Sequence, residues 1–110
     1  MTAQDVLNDA RPLLNDAAAV RWTDPAMLLN LAAALDEFWY RRHSAFYTAG
    51  IVTAQPANPA TVGSTVFVQA SYRLPLAHYL AYLCLMDDAD DTANAGLADR
   101  HYAAFEKAFG

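Results

Sequence analysis

Basic residues are scarce in this sequence, and their scarcity argues against a large class of functions. Seven Lys and Arg stand against twelve Asp and Glu, which gives a formal net charge of −5 at pH 7. Apart from the pair Arg41-Arg42, the basic residues are scattered along the chain. Proteins that bind nucleic acid normally present a cluster of Lys and Arg to the phosphates. Direct binding of DNA or RNA is therefore disfavoured.

Cysteine and long apolar runs are scarce as well. The one cysteine, Cys84, lies in the run YLAYLCLM, so an intrachain disulfide is excluded and a buried, inert thiol is predicted. No apolar stretch approaches the ~20 residues that a membrane-spanning helix needs. The start, MTAQDVLNDA, does not have the pattern of a secretory signal. We expect a soluble protein that is made in a reducing cytoplasm and has no membrane partner.

Motifs that carry catalysis or bind phosphate are missing too. The four glycines are far apart, and VGSTV around Ser64 is not the G-x-S-x-G nucleophile elbow. The three histidines fall on three different predicted helices, and none belongs to a motif with metal-ligand spacing. His78 and His101 lie on apolar faces and are predicted to be core or interface residues. The sequence predicts no enzyme activity and no cofactor.

Alanine, in contrast, is abundant, and it indicates the fold class. Twenty-four of the 110 residues are alanine, apolar residues make up 55% of the chain, and charged residues make up 17%. Alanine favours helix but buries little area per residue. We predict a mainly α protein of one domain, residues 1–110: a small bundle of about four helices. Its helical parts are 2–46 and 75–109, and a short β-hairpin or extended arm, 47–74, lies between helices 2 and 3.

Capping signals place the first two helices. Thr2 and Asp5 resemble a capping box, and apolar residues follow at helical spacing until Pro12, which kinks or divides the helix. Thr23 and Asp24 are good N-cap residues for the second helix, and Pro25 suits its first turn. About twenty helical residues are predicted there.

The centre of the chain has a different pattern. Residues 48–64 contain two prolines and two glycines and predict a loop or reversal. The following TVFVQASYR alternates in the way of a strand, and GIVTA at 50–54 is its candidate hairpin partner. Pro75 suits the start of a third helix that is apolar on nearly every side and must therefore be covered by neighbours. Asp91 or Thr92 caps a fourth helix, with Leu97, His101, Phe105 and Ala108 on one side.

Four aspartates crowd the connection between the last two helices. Asp87, Asp88, Asp90 and Asp91 partly imitate a calcium-binding loop, but the loop's glycine and its distal glutamate are missing. Asp90, Asp91 and Thr92 are better explained as residues that cap the fourth helix and complement its positive end, which leaves Asp87 and Asp88 unexplained. A small metal-dependent enzyme that uses these four aspartates and His101 is kept as an alternative, and a generic helical interaction module is another.

Aromatic residues provide the clearest sign of association. Successive helical residues are about 100° apart, so Phe38, Trp39 and Tyr40 cannot all be buried on one side of a helix. Large rings that stay exposed are typical of interfaces. The candidate residues of a subunit or partner interface are Trp39, Tyr40, Arg41, Arg42, Phe46, Tyr47, Phe67, Tyr72 and Phe109.

Two stretches resemble one known family in the same order. LLNDAAAVRWTDPAMLLNLAAALDEF contains an Asn-Asp pair, a V-R-W-x-D cap and a long helix, and LPLAHYLAYLCLMDDADDTANAGLADRHYAAFEKAFG contains an LP-capped helix and an Asp-rich turn. The second also carries the pattern N-x-x-x-A-x-x-H-Y-x-x-F, with residues Asn94, Ala98, His101, Tyr102 and Phe105. Over residues 7–38 and 74–110, the chain resembles the head-tail adaptor proteins of tailed bacteriophages.

The resemblance implies a structural protein of the virion. Such adaptors form a ring, commonly of twelve copies, that is assembled in the host bacterial cytoplasm and binds the portal protein of the filled capsid. The ring joins the portal to the next neck or tail-completion protein, and DNA passes through it without sequence-specific binding. A net negative charge would suit such a channel, because like charges oppose phosphate binding. The arm 47–74 is the candidate segment for reaching a neighbouring subunit or the portal.

Overall fold

The residues that the structure describes form four α-helices, and the third is central. The computed structural model describes residues 1–14, 22–47, 54–87 and 92–109. Their helices, in chain order, are α1 Ala3–Leu14, α2 Asp24–Arg41, α3 Arg73–Asp87 and α4 Thr92–Phe109. The helix α3 contacts each of the other three. The predicted helical bundle is therefore confirmed, and so is the expectation that neighbours cover the apolar third helix.

The helix α1 begins with the predicted capping box. The backbone N–H of Thr2 donates to Oδ2 of Asp5 over 2.9 Å, and the N–H of Asp5 donates to Oγ1 of Thr2 over 3.3 Å. The backbone hydrogen bond from Thr2 is the main cause that lowers the pKa of Asp5. Pro12 is exposed inside the helix, which continues to Leu14. The proline therefore does not divide α1.

The helix α2 starts at the predicted place but is held differently. Thr23 occupies the N-cap position, yet its side chain makes no capping hydrogen bond, and Asp24 is the first helical residue. The Asp24 carboxylate accepts a hydrogen bond from the Arg11 guanidinium over 2.5 Å. Trp22 is buried and donates from Nε1 to the Cys84 carbonyl over 3.1 Å. The start of α2 is thus anchored to α1 and α3 by side chains rather than by a threonine cap.

The predicted β-hairpin is wrong. Among residues 54–69 the pairing is limited to two isolated bridges, Thr2 with Thr65 and Phe46 with Val68. The strand-like alternation arises because Val66 and Val68 are buried in the core. No ladder extends from them, because the next residues turn into a 3₁₀ helix, Ala70–Tyr72, that leads directly into α3. The candidate partner GIVTA lies almost entirely outside the described residues.

The described part of the predicted arm packs on the chain's own helices. The N–H groups of Ala3 and Gln4 donate to the carbonyls of Ser64 and Val62 over 2.9 and 2.8 Å. Nearby, Gln55 and Asn58 donate to the Asp36 carboxylate of α2 over 2.6 and 3.1 Å. Removing residues 55–62 would therefore remove contacts that hold the fold itself.

The buried side of α4 is rotated from the predicted one. Ala98, Phe105 and Phe109 are buried, whereas Leu97 is 39% exposed and Ala108 is exposed. The buried residues still follow helical spacing, but the stripe is displaced by about one residue. Across the described ranges, no helix is long and apolar enough to cross a membrane.

Candidate interface and the histidine pair

Arg41, a predicted interface residue, joins the end of α2 to α4. Its guanidinium donates to Glu37 over 2.7 Å, to Glu106 over 2.9 Å and to the Tyr102 hydroxyl over 3.0 Å. It also lies over the Phe105 ring, 5.1 Å from the centroid. The hydrogen bond to Glu37 is the main cause that raises the pKa of Arg41 above its ordinary value. Contact with Tyr102 and Arg41 lowers the pKa of Glu106.

Arg42, the C-cap residue of α2, also joins the end of α2 to α4. It donates to the Tyr72 hydroxyl over 3.1 Å and to the Phe109 carbonyl over 2.8 Å. Its guanidinium lies 4.7 Å from the centroid of the Phe109 ring. Phe109 is near the end of α4, where carbonyl groups lack partners within the helix. Arg42 thus supplies a donor there, and any contact of these residues with another chain stays a prediction.

The other aromatic candidates divide into packed and exposed rings. Trp39 stacks on His43 with centroids 4.0 Å apart and an interplanar angle of 12°, and it meets the edge of Phe46 at 5.5 Å. Phe46 itself is buried in the core. Tyr47 remains 43% exposed and meets the partly buried Phe67 edge-on at 6.3 Å.

The most exposed large apolar side chains lie on α2. Tyr40 is 83% exposed and Leu29 is 76% exposed, and helical spacing places both on one side of the helix together with the exposed Ala33 and Asp36. A shallow apolar cleft of about 400 Å³ adjoins this side of α2. It is lined by Pro25, Leu28, Leu29, Ala32, Pro59 and Ala60. The exposed ring predicted by the Phe38-Trp39-Tyr40 sequence is thus Tyr40, since Phe38 is buried.

The acidic connection is only partly described. Asp87 accepts a hydrogen bond from the Asn30 amide of α2 over 2.8 Å, which gives this residue a structural partner that capping did not provide. Residues 88–91 lie outside the described ranges, so the capping role of Asp91 stays a prediction, and Thr92 is the first residue of α4. Within the described part of the chain, no three His, Cys, Asp or Glu side chains are grouped to hold a metal ion.

His78 of α3 and His101 of α4 meet between the helices. Their Nδ1 atoms are 3.0 Å apart and their ring centroids are 5.2 Å apart. The distance between the centroids exceeds the distance between the nitrogens by about the sum of the two ring radii. Both nitrogens therefore lie close to the line that joins the two centroids, and they face each other nearly head-on. A metal ion bound by both would lie to one side, about 2.0–2.1 Å from each nitrogen, with the lone pairs converging on it. The observed arrangement fits an N–H···N hydrogen bond instead.

The contact between His78 and His101 was not predicted from the sequence, although the positions of the two residues in their helices indicate it. His78 lies nine residues before the last residue of α3, and His101 lies nine residues after the first residue of α4. Residues at equal distances from a short connection lie side by side in antiparallel helices, because both helices rise by 1.5 Å per residue. Equal spacing and shared apolar surroundings would together have identified the contact.

Comparisons of the chain with protein-family models, with curated proteins and with solved structures found no match.

Proposed function

We propose that this chain is the subunit of a ring that joins the capsid portal of a tailed phage to the neck or tail and surrounds the DNA exit channel. The support is the resemblance over residues 7–38 and 74–110. These two stretches supply the greater part of α1 and all but the last residues of α2, and they supply nearly all of α3 and the whole of α4. Because these four helices pack into one bundle, the two similar stretches belong to a single folded unit.

The observation that favours assembly most is the exposed apolar side of α2. Leu29 and Tyr40 leave most of their side chains in water, and burial of apolar surface contributes roughly 25 cal/mol per Å². An adjacent apolar cleft could receive a side chain of another subunit. A ring requires this side of α2 to bind a different surface of the neighbouring subunit, because such a contact closes into a ring when the rotation between subunits permits. The exposed side of α2 is therefore the proposed subunit contact.

The charge distribution supports a channel that lets DNA slide. Arg11, Arg41 and Arg73 each pair with a carboxylate of the same chain. These guanidinium groups are consequently less available to phosphates than isolated surface cations. With a net charge of −5, the protein as a whole opposes close binding of the DNA backbone.

The proposal is tested by imaging virions or isolated portal complexes that contain this chain. We expect cryo-electron microscopy to show a closed ring of this four-helix subunit beneath the portal. In parallel, Leu29→Glu should abolish incorporation of the protein into that ring, because it places a charge in the apolar contact. Leu74→Glu is the matched control. Leu74 is another exposed leucine, with 60% of its surface accessible, but it lies at the start of α3 and outside the proposed contact.

The outcomes separate the candidate functions. A protein that binds copies of itself but never a portal would be a generic helical interaction module. Stoichiometric metal in the purified protein, lost in the double variant Asp90→Asn/Asp91→Asn, would instead support the metal-dependent alternative. Absence of the chain from purified virions would contradict the adaptor function.

A further inference from the structure

We propose that His78 and His101 form a proton-operated clamp between α3 and α4. The clamp is closed while one Nδ1–H donates to the other Nδ1, and it opens when both facing nitrogens carry hydrogen. The inference rests on the geometry of the pair and is independent of the proposed adaptor function.

The hydrogen bond requires the two rings to be opposite tautomers. A neutral imidazole has one N–H and one acceptor nitrogen. Because the two Nδ1 atoms face each other, one ring is the Nδ1–H tautomer that donates, and the other is the Nε2–H tautomer whose Nδ1 accepts.

Protonation affects the two rings differently. A proton added at Nε2 of the donor ring leaves its Nδ1–H in place, and a charged donor strengthens the hydrogen bond. A second proton, added at Nδ1 of the acceptor ring, sets two N–H groups 3.0 Å apart with no acceptor between them. The contact thus tolerates one added proton and is broken by the second, so the two imidazoles titrate as a coupled pair.

The surroundings offer little compensation for the second charge. One turn further along α3 stands the phenol Tyr82, and on α4 the residues one turn away include Ala98 and Phe105. At the boundary between α1 and α3, Asp9 and Arg73 pair with each other. From α1, the neutral Leu13 backbone favours the protonated form of His101, and burial opposes it more strongly. Double protonation therefore breaks the hydrogen bond that joins His78 of α3 to His101 of α4.

The pKa shifts agree in direction with this geometry. Burial lowers the pKa of His78, and the charge of His101 lowers it further. Burial also lowers the pKa of His101, while the Leu13 carbonyl opposes that shift. The unfolded chain therefore binds protons more readily than the folded one. The contribution to stability is fully present above the ordinary histidine pKa of about 6.5 and is lost as the pH falls below it.

Nitrogen NMR of the intact protein tests the hydrogen bond directly. With ¹⁵N-labelled histidine at pH 8, we expect His78 and His101 to be opposite tautomers, one Nδ1–H and the other Nε2–H. Detection of both rings as Nε2–H tautomers would overturn the proposal, because two unprotonated Nδ1 atoms cannot form the bond. This measurement needs no substitution and is valid whether or not a variant folds.

Denaturant unfolding between pH 8 and pH 5 tests the switch. The folding equilibrium constant of the wild type should fall by about tenfold more than that of His101→Asn, whose amide can hydrogen bond but does not titrate. His43→Gln is the matched control and should follow the wild-type profile, since His43 is exposed and stacks on Trp39. Parallel pH profiles of the wild type and His101→Asn would refute the clamp.

Discussion

Arg11 shows how a single residue ties two segments together. Among the residues that the structure describes, Arg11 is the charged residue that is buried, with 6% of its surface exposed. Its guanidinium donates to the Trp22 carbonyl over 2.8 Å and to Asp24 over 2.5 Å. Hydrogen bonds that involve a charged group contribute more than neutral ones, and a buried group that loses one keeps its desolvation cost. Arg11 therefore fixes where the chain enters α2 relative to α1.

Substitution of Arg11 should be more costly than substitution of a surface arginine. Arg11→Leu keeps the apolar stem but removes both hydrogen bonds, and we expect it to lower the free energy of unfolding by about 2 kcal/mol. Arg73→Leu is the control, because the Arg73 pair with Asp9 is substantially exposed and such pairs contribute about 0–1 kcal/mol. Urea unfolding at pH 7 measures both, and equal losses would contradict the anchoring role of Arg11.

At the scale of elements, α4 contains a residue that weakens it. Gly96 is exposed within the helix, and a Cβ atom built there meets nothing within 4 Å. Gly96→Ala should raise the free energy of unfolding by about 0.5–1 kcal/mol, because glycine loses more backbone entropy in a helix. The reverse change at an exposed site of the same helix, Ala103→Gly, should lower it by a similar amount. Thermal melts of both variants measure the effect, and a destabilised Gly96→Ala would show that the glycine has another role.

The helices could be predicted from sequence because their signals are local. The Thr2-Asp5 capping box, Pro25 and the apolar runs each act within a few residues of the element that they define. The hairpin was mispredicted because the alternation of Val66 and Val68 records burial, not hydrogen bonding. Whether a segment joins a ladder depends on distant partners, here residues at the N terminus and at the end of α2.

The sequence predicted which kinds of residue form the candidate interface, but it did not predict how they are arranged. The sequence showed that one ring of Phe38, Trp39 and Tyr40 must be exposed, but the identity of that ring depends on how α2 is oriented against α3. Likewise, the sequence predicts Arg41 and Arg42 as interface residues, whereas in the structure they bind groups of α4 more than 60 positions away in the sequence. Contacts of such separation leave no local signal.

At the scale of the whole molecule, the protein combines apolar exposure with an acidic balance. Its accessible surface is 5935 Å², close to the roughly 6,000 Å² expected for a monomer of 12.0 kDa. The core is therefore of ordinary size for the chain length. The exposed apolar side chains, Leu29 and Tyr40 above all, would be covered only by another chain. The excess of carboxylates gives the chain a net charge of −5, which would repel a polyanion.

Duplex DNA should therefore not bind the protein, even at low ionic strength. Attraction to phosphates comes from Lys and Arg side chains, whose binding releases counterions from the DNA. The observed binding constant of such a protein falls steeply as the salt concentration rises. Here Arg41 is engaged by Glu37 and Glu106, and Arg73 by Asp9. We expect fluorescence anisotropy of a labelled duplex to stay constant on titration with the protein at about 50 mM salt. Binding that is present at about 50 mM and lost near 200 mM salt would reveal a basic surface and contradict a channel that lets DNA slide.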